Sequence, residues 1–149
     1  MVSNYQNEVQ KFETSRRNLL AVVGFSAVNL VLLFLDIDMY FLFSATIPLA
    51  LFAYGLGVVG IVVVAIYLAC WYFMEKQRWL ILIPLVLFFL DCLLYALFIY
   101  SDFVNGYSFD YTILIDVVFH GLIMFYLVTG TMAWLKIRKI EPQIMSDPE

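Results

Sequence analysis

From Met39 to Met74 the chain carries no charged side chain, a run of 36 residues. Soluble domains have roughly a quarter of their residues charged, so water-facing structure does not leave gaps of that length. One bilayer crossing takes about 20 apolar residues, and two with a turn take over 40. The run is therefore too long for one helix and too short for a comfortable pair, and its surplus has to be placed. The rest of the chain agrees with a lipid solvent: of 149 residues 64% are hydrophobic and 13% charged, and the mean hydropathy is +0.94. The expected class is an integral membrane protein with the lipid bilayer as its first partner.

Pro48 decides where the run divides. Proline has no N–H for a helix interior, disfavours a helical residue before it and suits a first helical turn. Ser44 and Thr46 stand just ahead of it as candidate N-caps. Tyr40 to Thr46 is thus expected to be a separate outer segment, interfacial or re-entrant, and Pro48 to Met74 a span. Three further apolar runs, 19–35, 79–100 and 111–135, make a single four-span transmembrane domain over residues 19–135. Ahead of it, Tyr5, Val9 and Phe12 share one helical face, and Glu13 can pair with Arg16 and Arg17. Residues 1–18 therefore read as a cytoplasmic amphipathic helix on the membrane surface, running into the first span. Residues 136–149 read as a cytoplasmic tail that frays after Pro142. The polar N-terminus gives no sign of a cleavable signal peptide.

Charge sorting sets the expected orientation. All eight bases fall in three places: Lys11, Arg16 and Arg17; Lys76 and Arg78; Lys136, Arg138 and Lys139. The other two loops hold Asp36, Asp38, Asp102 and Asp110 and no base. The positive-inside rule then puts both termini and the 75–78 loop in the cytoplasm. Two crossings between Tyr40 and Met74 would put five of the eight bases outside. The expected fold is an all-α, polytopic four-helix membrane bundle, N-in and C-in, with the surplus segment on the outer face.

Several chemistries are argued against. A net charge of -4 is no nucleic-acid footprint. Cys70 and Cys92 lie within apolar runs, form no CxxC and suit buried small hydrophobes rather than thiol exchange. Gly55 to Gly60, "GLGVVG", matches GxGxxG but lacks the preceding strand and watery helix N-terminus that phosphate binding needs, so it reads as close helix packing inside a span. Ser26, Ser44, Ser101 and Ser108 sit in no nucleophile elbow. One histidine, without HExxH or a spaced partner, gives little for a metal. No catalytic residue, metal or cofactor is implied.

The residues that remain are polar misfits within the spans. Ionisable groups there are costly and face the bundle or a wet cavity. Asp91 and His120 each lie nine residues from the outer end of their span, about 13 Å deep at 1.5 Å per residue, so they can meet. Asp116 and Thr112 continue outward from His120 on the same face, Tyr95 from Asp91, and Asn29 reaches a similar depth. Together they predict a polar patch in the outer half of the bundle, beneath Tyr40, Ser44, Thr46 and Pro48. As a packing device the patch suits a non-enzymatic accessory or partner-binding subunit, whose partner is another membrane protein or a second copy. As a relay it suits a small proton- or cation-coupled transporter or channel using Asp91, Asp116 and His120.

The stretches "RRNLLAVVGFSAVNLVLLFLD" and "YFLFSATIPLALFAYG", with Arg17-Asn18-Leu19, Asn29, Tyr40 to Ala45 and Ile47-Pro48, resemble a group of small uncharacterised four-helix integral membrane proteins of Firmicute-type bacteria. The resemblance covers roughly the first third of the chain. It implies a bacterial inner-membrane location and a recurring outer segment, and no catalytic activity.

Overall fold

The structure is a computed structural model that describes residues 2–37, 43–106 and 111–146. Tyr40, part of the expected outer segment, lies outside them. All the regular structure among the described residues is helical: α1 (Val2–Phe34), α2 (Thr46–Ala53), α3 (Gly57–Phe73), α4 (Leu82–Val104) and α5 (Tyr111–Ser146), with a 3-10 turn at Arg78–Ile81 leading into α4. Three helical stretches are long and apolar enough to cross a membrane: Ser3–Phe34, Arg78–Val104 and Tyr111–Pro142.

The central framework is an antiparallel pair, α1 against α5. Along α1 the residues Glu8, Phe12, Ser15, Leu19, Val22, Ser26 and Asn29 are all buried. Their alternating steps of four and three are the seam spacing of helices that pack knobs into holes. His120, Ile123, Leu127, Gly130 and Ile137 form the answering seam on α5. Tyr5 reaches Glu141 at 3.1 Å and Lys136 reaches Glu8 at 3.4 Å. At the tightest crossing a Cβ on Gly130 would lie 2.5 Å from the Ser15 side chain, so only glycine fits there.

This pairing corrects two expectations. Residues 2–18 do run into the first span as part of α1, but their apolar face is covered by α5 rather than turned to a membrane surface. The C-terminal segment does not fray at Pro142, since α5 runs on to Ser146 with Pro142 inside it. Glu141, just before the proline, is anchored by both Tyr5 and Arg78, the latter at 3.0 Å.

The expected span Pro48–Met74 is not one helix. It is broken at Tyr54–Leu56, where Gly55 takes a φ of 79°, a left-handed conformation that costs glycine nothing. The 17-residue α3 folds back on α2 so closely that a Cβ on Gly60 would lie 2.7 Å from the Pro48 carbonyl oxygen. Close packing is thus the role of Gly60, whereas Gly55 makes the turn. Pro48 does sit in a first helical turn, but the N-cap is Ala45, and neither Ser44 nor Thr46 caps through its side chain.

Ion pairs tie the three basic segments to one end of the bundle. Arg16 donates to the Trp71 carbonyl and to Glu75, both at 3.0 Å, and its guanidinium lies over the Trp71 ring. Arg78 bonds Glu141, and Lys136 bonds Glu8. The end of α3, the 75–78 loop, the first half of α1 and the last turns of α5 therefore meet at one level.

Candidate functional site

At the other end the chain leaves α1 near Phe34 and comes back to the bundle interior. Asn29 donates to the Ser44 hydroxyl at 2.8 Å, and Ser26 accepts from the Ala45 N–H at 2.9 Å. Ser44 and Ala45 thus lie beside α1 positions more than one turn before its end. From there α2 begins, with its N-terminus inside the protein.

A buried helix start raises an accounting problem, because the first four N–H groups of a helix have no partner within it. For α2 those belong to Ala45, Thr46, Ile47 and Pro48. The Ala45 N–H goes to Ser26. The Thr46 N–H goes to Asp91 Oδ2 at 3.0 Å, and the Ile47 N–H to Asp91 Oδ1 at 2.6 Å. Pro48 has no N–H to place. Asp91 of α4, fully buried, is therefore the cap of a helix 45 residues away in sequence. A carboxylate there also meets the positive end of the helix dipole.

His120 completes the cluster. Its Nδ1 is 2.8 Å from the Asp116 carbonyl oxygen, which can only accept, so Nδ1 carries a proton. Its Nε2 is 3.1 Å from Asp91 Oδ2 and 3.3 Å from Thr46 Oγ1. A single proton on the Nε2–Oδ2 line leaves the imidazole–carboxyl pair neutral as a unit, which is what a buried pair requires. The ring is held flat against Tyr95, with centroids 4.6 Å apart and planes 6° apart, and is stacked against Phe88 at 5.4 Å.

Of the residues singled out in the sequence, Asp91, His120 and Thr46 are in direct contact. Asn29 and Ser44 pair beside them, and Pro48 is the buried third residue of α2. Tyr95 stacks on His120, and its hydroxyl donates to the Ile113 carbonyl at 3.4 Å. Asp116 accepts the Phe43 N–H at 3.4 Å. Thr112 is half-buried two turns before His120 on α5.

Three participants escape a sequence reading. Ser26 has the only usable signal: it lies three residues before Asn29 in the same seam. The backbone donors of residues 43–47 carry none. Phe43 carries none either, yet it holds a φ of 70°, strained for a side-chain-bearing residue, with its ring against Phe119 at 5.1 Å and Phe25 at 6.0 Å.

Among the described residues, no three His, Cys, Asp or Glu side chains are grouped so as to hold a metal ion. The arrangement can fix a segment, and it can hold one proton between two groups. The fold and the cluster define an all-helical chain with three helices of membrane-crossing length and a trans-capped internal helix start. Compared with protein-family models, with curated proteins and with solved structures, the chain finds no match.

Proposed function

We propose that the chain is a multi-pass protein of the cell membrane, with both termini cytoplasmic, acting without catalysis as an accessory or partner-binding subunit. Its four crossings are residues 19–34 of α1, α3, α4 and residues 111–135 of α5. The segment entering at Phe43 and leaving through α2 is a re-entrant piece from the outer side. One observation carries the reading: every N–H at the start of α2 is taken by Ser26 or Asp91, or is absent at Pro48. Non-helical backbone at membrane depth is tolerated only where such groups are satisfied inside the protein. The polar residues within the apolar runs thus hold a re-entrant segment in place. The resemblance of the N-terminal third to small bacterial inner-membrane proteins supports the same assignment.

The runner-up is a proton- or cation-coupled transporter or channel, favoured by the Asp91–His120 hydrogen bond. Asp91→Asn separates the two. An amide has one acceptor oxygen for two backbone donors, so the packing role predicts a loss of about 1–3 kcal/mol in detergent unfolding. Proteoliposome proton and cation fluxes then equal those of empty vesicles for parent and variant alike. A parent flux above background that Asp91→Asn abolishes with little change in stability would overturn the packing role and establish transport.

A further inference from the structure

The opposite end of the bundle carries a cavity of about 420 Å³ between the 75–79 segment and the last turns of α5. Three bases line it: Lys76, Arg78 and Arg138. So do the carboxylates Glu75 and Glu141. Both carboxylates are already engaged, Glu75 by Arg16 and Glu141 by Arg78 and Tyr5. Lys76 and Arg138 have no ion-pair partner among the described residues, and both are exposed. The three bases and two carboxylates of the lining leave one net positive charge, and Lys76 and Arg138 are the bases that no carboxylate holds.

Its remaining walls say what kind of anion suits it. Trp79 opens the apolar stretch that becomes α4, and Trp134 is the last aromatic of α5 before Lys136; both line the cavity. Indole rings prefer the boundary between hydrocarbon and headgroups, with the ring body in apolar surroundings and the N–H in the wet layer. A pocket with tryptophans at that boundary and free bases beside them sits at the depth of lipid phosphates. Basic pockets between spans on the cytoplasmic side are the usual place for anionic headgroups.

We propose that this cavity binds the phosphate of an anionic phospholipid headgroup, with Lys76 and Arg138 as its charge partners and Trp79 and Trp134 flanking the glycerol region. The inference rests on the membrane reading of the chain but not on the role of the Asp91 cluster. Arg78, half-buried and bonded to Glu141, shapes the wall, while the two free bases supply the attraction.

The test is lipid retention by the full chain in mild detergent, titrated with phosphatidylglycerol or phosphatidylcholine and read by native mass spectrometry. The parent should bind phosphatidylglycerol as a discrete complex in preference to phosphatidylcholine. Each base near a membrane surface contributes about fivefold in affinity, so Lys76→Gln with Arg138→Gln should weaken phosphatidylglycerol binding about 25-fold. Its thermal melt in phosphatidylcholine should match the parent's. Arg17→Gln with Lys139→Gln removes the same charge outside the cavity and should change binding less than about threefold. Equal losses in the two double variants would overturn the site in favour of diffuse attraction. Displacement by glycerol phosphate at concentrations comparable to the lipid would overturn the lipid as its ligand. Recovery of the chain in the soluble fraction would defeat the membrane reading itself, whereas an embedded chain with no preference for phosphatidylglycerol would defeat this inference alone.

Discussion

Single hydrogen-bonding groups matter here because so few are solvated. Ser26 is 1% exposed, and its hydroxyl is the acceptor for the Ala45 N–H. Ser26→Ala leaves that donor buried without a partner, which costs about 1–3 kcal/mol. Detergent unfolding should show that loss, while the exposed Ser101→Ala should be near neutral. Glu8 is a second such position, at the opposite end. It accepts from Lys11 at 2.8 Å and from Lys136 at 3.4 Å. The Lys11 hydrogen bond, with Lys136 in support and against partial desolvation, holds its carboxyl below the ordinary value of 4.5. A depressed carboxylate stabilises the fold above its unfolded value, and that contribution disappears as the pH falls through the folded value. The melting-temperature gap between the parent and Glu8→Gln should therefore be full at neutral pH and close below pH 4.5. A gap that persists or widens in acid would mean that packing, not charge, makes Glu8 matter.

At the scale of elements, the α2–α3 hairpin is the distinctive unit. It depends on backbone approach at Gly60, where an added methyl would meet the Pro48 carbonyl at 2.7 Å. Overpacking of this kind costs about 1–3 kcal/mol, so Gly60→Ala should lower the melting temperature. Gly24→Ala, with nothing within 4 Å of the new methyl, should not. The hairpin also makes a prediction about access. Ser44 is 7% exposed and Tyr54, at the hairpin turn, is 76% exposed. In intact cells of a strain expressing a chain freed of Cys70 and Cys92, an impermeant thiol reagent added outside should label Tyr54→Cys and spare Ser44→Cys. Labelling of both would place residues 43–46 at an open interface instead. The amphipathic face of residues 1–18 was legible from Tyr5, Val9 and Phe12, because helical periodicity is local. That α5 covers this face was not, because the covering residues lie more than a hundred positions away.

For the molecule as a whole, the ion pairs Arg16–Glu75, Arg78–Glu141 and Lys136–Glu8 gather the three basic segments at one end. A reporter fused after Glu149 should accordingly read cytoplasmic and one inserted at Gly106 external; the reverse pair of signals would invert the orientation. Helical class, apolar runs of membrane-crossing length, the common level of Asp91 and His120 and the misfit polar residues could all be read from residue order alone. The physical reason is that hydrophobic length, charge spacing and the cost of a charge in hydrocarbon belong to a residue and its own run. That a helix starts just ahead of Pro48 was legible, because proline suits a first turn; the second break, at Gly55, was not, because glycine takes helical and left-handed φ about equally well and only the packing of α3 back on α2 selects the turn. Above all, the purpose of Asp91 was decided by tertiary structure. A carboxylate in an apolar helix announces that it needs a partner, and His120 could be named for it, but its other partners are backbone N–H groups of a helix start brought alongside it; backbone donors are the same at every non-proline position, so no residue name could reveal them.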